Sequence, residues 1–347
     1  MKVVIHFKKA SEVRTLNSYE RLMNRIQGKP VDRVPNMNIV MQFAARETGH
    51  CYGQVVRNAR LLADGMLRCH EKYGIDCLWT ISDSVREPQD LGAEVIVPDN
   101  GVPYCPQPFI TGPEDFHKLK LMDPASGRAM GDRLEAVRIL KEEAKGEVPV
   151  IGWVEGAVAA ACNMMGVANF MYMMMDEPEA AQELLAFCGE QELRFALAQV
   201  QAGADIIGLG DAAASLIGPD MYEEFAIAHE KRIFAEVHKA GALTKLHICG
   251  NINPILEQAA GTGCDILDCD HMVDMARACE LMRGKGCACG NFDPVSIALQ
   301  GSREDVFNAS IACAKLGDNS IVAAGCEIPI DTDPANMLAT HEALCSM

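Results

Sequence analysis

Short apolar, strand-like runs recur at 36–41, 75–82, 148–154, 205–210, 242–248, 264–267, 286–290 and 320–325, with stretches of helical periodicity between them. The helical stretches fall at 53–74, 131–145, 157–201 (broken near Asp176-Glu177-Pro178), 219–240, 253–262, 273–284, 294–315 and 334–345. Alternation of this kind predicts βα units and a parallel sheet. Eight units in 347 residues predict a (β/α)8 TIM barrel, an α/β fold, with an open doubly wound sheet as the alternative. A helix is expected over 16–28, with Tyr19, Leu22, Met23 and Ile26 at helical spacing and Gly28 as its stop. The expected organisation is an N-terminal extension and helix over 1–30, then one barrel domain over 31–347. A Pro- and Gly-rich insertion lies near 84–130, and Asp132 is expected to N-cap the helix that follows it.

Polar residues gather where these runs end: Asp83, Glu155, Asp211, His247 with Cys249, Asp268 with Asp270, Asn291 and Cys326. In a TIM barrel such positions open onto one face, where active sites lie. His247 and Cys249 are two residues apart on a strand, so their side chains point the same way. Imidazole and thiolate are zinc ligands, and a closed barrel would bring Cys326 across to them. The reading is therefore a metal site of His247, Cys249 and Cys326. A fourth protein ligand would come from Asp268, Asp270 or Glu155; otherwise one zinc position stays open, the catalytic pattern. Glu155, Asp270 and Asp211 are read as catalytic candidates, and Asn291 and Asp83 as cofactor-facing. His271 is read as a loop histidine.

Other motifs are weaker. Cys287-x-Cys289 and Cys264-x4-Cys269 lack the spacing of structural zinc sites and read as core thiols. The Gly208-Leu209-Gly210-Asp211-Ala212-Ala213 stretch has the loose form of a dinucleotide loop. It sits mid-chain, and the next strand ends in His and Cys, so that reading is rejected. The Met171–Met175 run reads as core packing or an interface. The formal net charge of -17 disfavours nucleic acid and anionic membranes as partners. Fifteen Cys without a signal-like N-terminus read as free thiols of a reducing cytoplasm, and so many would be a liability in air. No run approaches a membrane helix in length.

Several stretches together resemble a known family: Asp32-Arg33-Val34-Pro35, Gly152-Trp153-Val154-Glu155-Gly156, Leu246-His247-Ile248-Cys249-Gly250-Asn251, Gly290-Asn291-Phe292-Asp293-Pro294 and Ala324-Gly325-Cys326-Glu327-Ile328-Pro329. They are similar to the uroporphyrinogen decarboxylase superfamily, in its zinc-dependent corrinoid methyltransferase branch. That branch includes methylcobamide:coenzyme M methyltransferases and O-demethylase methyltransferases. The resemblance implies a TIM barrel, a His-x-Cys…Cys zinc motif at His247, Cys249 and Cys326, and a corrinoid (cobalamin) carried by a separate partner protein. It implies methyl transfer between a small methylated compound and cobalt. The Glu155 motif resembles the O-demethylating members, which makes demethylation of a compound such as a methyl ether the expected direction. Transfer from methylcorrinoid to a thiol is the alternative. Decarboxylases of the family grip propionates with an Arg-rich N-terminal signature, of which only Arg46 stands here. The insertion at 84–130 is expected to form a lid or docking surface.

Overall fold

The computed structural model describes residues 15–347. Of the extension and helix expected over 1–30, residues 1–14 therefore lie outside the described residues. The parallel sheet runs β1 (Leu78–Trp79), β2 (Val150–Glu155), β3 (Ile206–Gly210), β4 (Leu243–Ile248), β5 (Ile266–Cys269), β6 (Cys287–Cys289) and β7 (Ser320–Ile321). Spatial order equals chain order. The strands are Val-, Ile- and Leu-rich and buried on both sides, as parallel strands covered by helices must be. The sheet is curled. Lys245 on β4 places Nζ 4.6 Å from the ring centroid of Trp79, three strands away on β1.

The segment after Pro35 joins the two edges. Met37 N–H donates to Val322 O (2.8 Å), Val322 N–H donates to Pro35 O (3.0 Å), and Asp76 N–H donates to Asn36 O (2.7 Å). The strand expected over 36–41 is reduced to this bridge at Asn36. Side-chain amides take over the ladder's role there: Asn38 Oδ1 accepts from Ala324 N–H (2.7 Å), and Asn36 Oδ1 accepts from Asn38 N–H (3.2 Å). The run expected over 320–325 is likewise regular only at Ser320–Ile321, with single bridges from Val322 and Ala324.

Below the strands, near their N-terminal ends, Asp76 is fully buried and fully partnered. It accepts from Arg21 Nη1 (2.7 Å), Arg33 Nη1 (2.7 Å), Ser18 Oγ (2.8 Å) and Asn36 N–H (2.8 Å). Ser18 and Arg21 lie on the helix Ser18–Ile26, whose capping box is made by Asn17 and Glu20.

Helix boundaries depart from expectation where backbone geometry intervenes. The 157–201 stretch is three helices, Ala157–Met165, Val167–Asp176 and Pro178–Ala202. The extra break falls at Gly166, whose φ is +86°. The 294–315 stretch opens with a π-helical turn, Pro294–Leu299, before Arg303–Ala314. Asp132 is not an N-cap: the helix Arg128–Ala144 begins four residues earlier. Its free N–H groups are met instead by Asp90, which accepts from Arg128, Ala129 and Met130. Asp132 accepts from Ala59 N–H (2.9 Å). Among the described residues no single helix is long and apolar enough to cross a membrane.

Candidate metal centre

Register builds the site. Glu155, Gly210, His247 and Asp268 are successive Cα partners across β2 to β5. Paired residues of neighbouring strands share a side of the sheet, so Asp268 stands beside His247. Lys245, His247 and Cys249 follow at intervals of two and share that side as well. Gly208 and Gly210 are required by close approach. A Cβ at Gly208 would lie 2.4 Å from the Trp153 ring, and one at Gly210 2.7 Å from it. These glycines let the indole lie over β3, which is the structural reason for a motif that imitates a dinucleotide loop.

The donor atoms of His247, Cys249 and Cys326 all lie within 4.8 Å of one another. His247 Nε2 is 3.0 Å from Cys249 Sγ, and the two sulfurs are 3.8 Å apart. Two thiolates each about 2.3 Å from a tetrahedral zinc ion would themselves stand about 3.8 Å apart, so the pair fits zinc. His247 Nδ1 lies 2.8 Å from Asp268 Oδ2, close but off the line of a straight hydrogen bond. This carboxylate on the far nitrogen leaves Nε2 for the metal. Lys245 Nζ also bonds Asp268 Oδ2. Burial pushes the Asp268 carboxyl up, but Lys245 and His247 overcome it and hold it at about 2. The hydrogen bond from Cys249, with help from His247, carries the Cys326 thiol down to about 4 against the effect of burial. These contacts favour the thiolate of Cys326, the form a metal binds.

This geometry belongs to a chain with recognisable relatives. The family model described as Uroporphyrinogen decarboxylase (URO-D) matches residues 17–346. The chain belongs to the uroporphyrinogen decarboxylase (URO-D) family. Among its URO-D relatives, Methylcobamide:CoM methyltransferase MtbA of Methanosarcina acetivorans is 30% identical over 92% of this chain and 94% of the relative. Methylcobamide:CoM methyltransferase MtaA of Methanosarcina barkeri is 27% identical over 92% and 95%. Uroporphyrinogen decarboxylase of Chlorobaculum parvum is 29% identical over a shorter stretch, 76% and 78%. A solved methyltransferase from Methanosarcina mazei superposes with a TM-score of 0.87 at 24% identity, covering 95% of this chain and 99% of that one. It shares the fold. With relatives of this kind matched over nine-tenths of its length, this URO-D chain is an enzyme of the methyltransferase kind.

A cavity of about 180 Å³ opens beside the three donors. Asp83 and Glu155 line it, and so does Glu327, which follows Cys326 directly. Glu155 accepts from Trp153 Nε1 (3.2 Å) and Arg86 Nη2 (3.3 Å). Burial outweighs the arginine and pushes the Glu155 carboxyl up to about 8. Burial pushes Asp83 up too, but Arg86 and Arg57 prevail and keep it below its ordinary value; Arg57 Nη1 is 2.7 Å away. Burial and the neighbouring Cys326 raise Glu327 to about 7, although Gln42 N–H donates to its Oε1 (2.8 Å).

The other candidates stand behind this wall. Asp211 is fully buried, accepts from Ala159 N–H (2.7 Å), and is pushed by burial to about 7. Asp270 accepts from Gly250 N–H (2.9 Å) and Met272 N–H (3.1 Å), and so fixes the turn after Cys249. Asn291 Nδ2 donates to the carbonyls of Asp270 and Val273, both at 2.9 Å. His271 is partly exposed, with Nδ1 2.9 Å from Asp270 Oδ1. Arg46 donates to the carbonyls of Ile330 (2.8 Å) and Thr332 (3.0 Å). Cys264, Cys269, Cys287 and Cys289 are buried. In the methionine run Met173 and Met174 are buried, whereas Tyr172 and Met175 are exposed.

Lys245, Arg86 and Glu327 are the residues missed from sequence. A lysine inside the apolar run Leu243–Ile248 was the available signal for the first. Glu327 adjoins a proposed ligand. Nothing in the sequence separates Arg86 from a solvated arginine.

Proposed function

We propose that the chain is a zinc-dependent methyltransferase working with a corrinoid carried on a separate protein. The observation that carries this reading is the convergence of His247 Nε2, Cys249 Sγ and Cys326 Sγ, with Asp268 behind the imidazole. The curled sheet, with the segment at Asn36 in the eighth place, is read as a (β/α)8 barrel preceded by a helical extension. The catalytic domain is read as 31–347.

His247, Cys249 and Cys326 would hold the ion, leaving one position toward the cavity. A zinc ion in such a set supplies Lewis acidity, which keeps a bound thiol deprotonated near neutral pH. The relatives' named activity supports methyl transfer from a methylcorrinoid to a thiol, the reverse of the direction expected from the Glu155 motif. In that direction the sulfur–carbon bond forms as the carbon–cobalt bond breaks. The electron pair stays on cobalt and the thiol proton is released. Asp268 fixes the His247 tautomer, and Trp153 and the apolar wall keep water away from the reacting carbon.

A second reading, demethylation of a small methylated compound such as a methyl ether, is favoured by Glu155. A carboxyl raised to about 8 still holds a proton at neutral pH, and a departing oxygen needs one. Asp211 backs Glu155 electrostatically in either direction. Asp83 lines the cavity that a corrinoid would approach, beside the 84–130 insertion, while Asp270 and Asn291 brace the turns behind it. Decarboxylation is less supported, since Arg46 is engaged with backbone carbonyls. Fifteen free thiols suit a reducing cytoplasm.

The test is metal analysis with spectroscopy of cobalamin. The expected result is about one zinc per chain, loss of most of it in Cys326→Ser, and thiol-dependent conversion of methylcob(III)alamin to cob(I)alamin. Unchanged metal content in Cys326→Ser overturns the site. Methylation of cob(I)alamin by a methyl ether selects the second reading. Activity that persists in chelator and depends on Arg46 selects decarboxylation.

A further inference from the structure

Among the described residues, the ionisable side chains on the cavity wall apart from the metal donors are Asp83, Glu155 and Glu327, all acids. A second cavity of about 260 Å³ shares Ser84, Glu155 and Ala212 with the first, and brings neutral groups such as Asn163 and Val167. Among the described residues the nearby cations are engaged behind the wall. Arg57 holds Asp83 at 2.7 Å, and Arg86, 1% exposed, holds Glu155 at 3.3 Å. Lys245 is fully buried against Asp268.

A carboxyl, ionised or not, offers no positive charge. Two thiolates cancel the charge of a divalent metal, so the metal centre adds none either. An anionic group entering this space would lose its water and meet no counter-ion, which is a costly transfer. A neutral group loses less, and an ammonium would find acids to pair with.

We propose that this site takes substrates whose remote end, away from the sulfur or oxygen that exchanges methyl, is neutral or cationic, and that it discriminates against anionic ones. This rests on the Proposed function, since it names the substrate class of that same site. The apolar Ile39, Met41, Ile81 and Val102 on the wall accommodate a hydrocarbon body between the two ends.

Three thiols of nearly equal size separate the cases: 2-mercaptoethanol is neutral, cysteamine cationic and 2-mercaptoethanesulfonate anionic. Each would be titrated into the cobalt(II)-loaded full chain, reading the sulfur-to-cobalt absorption. The neutral and cationic thiols are expected to bind at least about tenfold more tightly than the sulfonate. Val102→Lys, at a wall position that is already 37% exposed, is expected to improve sulfonate binding several-fold relative to 2-mercaptoethanol. Equal or tighter binding of the sulfonate by the unaltered chain overturns the inference and leaves the Proposed function standing. If none of the three thiols perturbs the cobalt spectrum, the thiol-transfer reading falls and this inference falls with it.

Discussion

The two ends of the sheet treat buried charge in opposite ways. At the N-terminal end Asp76 sits among Arg21, Arg33, Ser18 and a backbone N–H, with every partner within 2.8 Å. At the C-terminal end Glu87, Asp211 and Glu230 are just as buried, yet both oxygens of Glu87, Asp211 Oδ2 and Glu230 Oε1 accept no hydrogen bond, and Glu87 has only the looser ion pair with Arg86 at 3.6 Å. The first arrangement holds the fold together. The second costs stability and raises all three carboxyls above their ordinary values through burial, as sites that must react or bind do.

Breaking the lower cluster gives the largest expected effect. Asp76→Ala removes the carboxylate shared by half-buried Arg33 and by Arg21, which keeps Asp32, and should cost about 3 kcal/mol in denaturant unfolding. Metal content per folded chain should stay unchanged. A loss of metal without a loss of stability would erase the distinction between the two ends.

Asp268→Asn comes next. It removes the charge behind His247 and should weaken metal binding about 10–100-fold, measured by competition with a chromogenic chelator. An unchanged affinity would mean that the carboxylate serves Lys245 alone.

The third effect concerns pH and is read as a slope. Burial and Asp211 raise the Glu230 carboxyl to about 8, although Tyr222 Oη donates to it (2.5 Å). The folded chain therefore holds a proton there that the unfolded chain loses near the ordinary carboxyl value. Stability contributed at this site falls as pH rises from that value toward 8. Glu230→Gln should flatten the decline by up to about 1.4 kcal/mol per pH unit, read from unfolding midpoints between about pH 5 and 8. An unchanged slope would show that Glu230 titrates normally and that the upper end is less strained than its contacts indicate.

What was legible in the sequence was whatever strand periodicity dictates. Because polar residues end successive apolar runs, His247 and Cys249 can be grouped with Cys326, which lies 77 residues beyond Cys249. The first and last expected strands were overdrawn, since side-chain amides of Asn36 and Asn38 replace ladder bonds that periodicity assigns to backbone. The role of Asp268 was seen only as one ligand option among three. Its position opposite His247 depends on the register of β4 and β5, which composition does not encode. Arg86 is invisible in the sequence because a helix that buries a charge reads like one that exposes it.

The sulfur pair has a mechanical meaning as well. Cys326 lies just beyond the seam where Asn36 meets Val322, whereas His247 and Cys249 belong to the middle of the sheet. A metal ion gripped by all three would act as a rivet between the least regular edge and the most regular strand. Filling the site would therefore brace the seam against local opening, and the protein's resistance to unfolding would rise and fall with its metal supply.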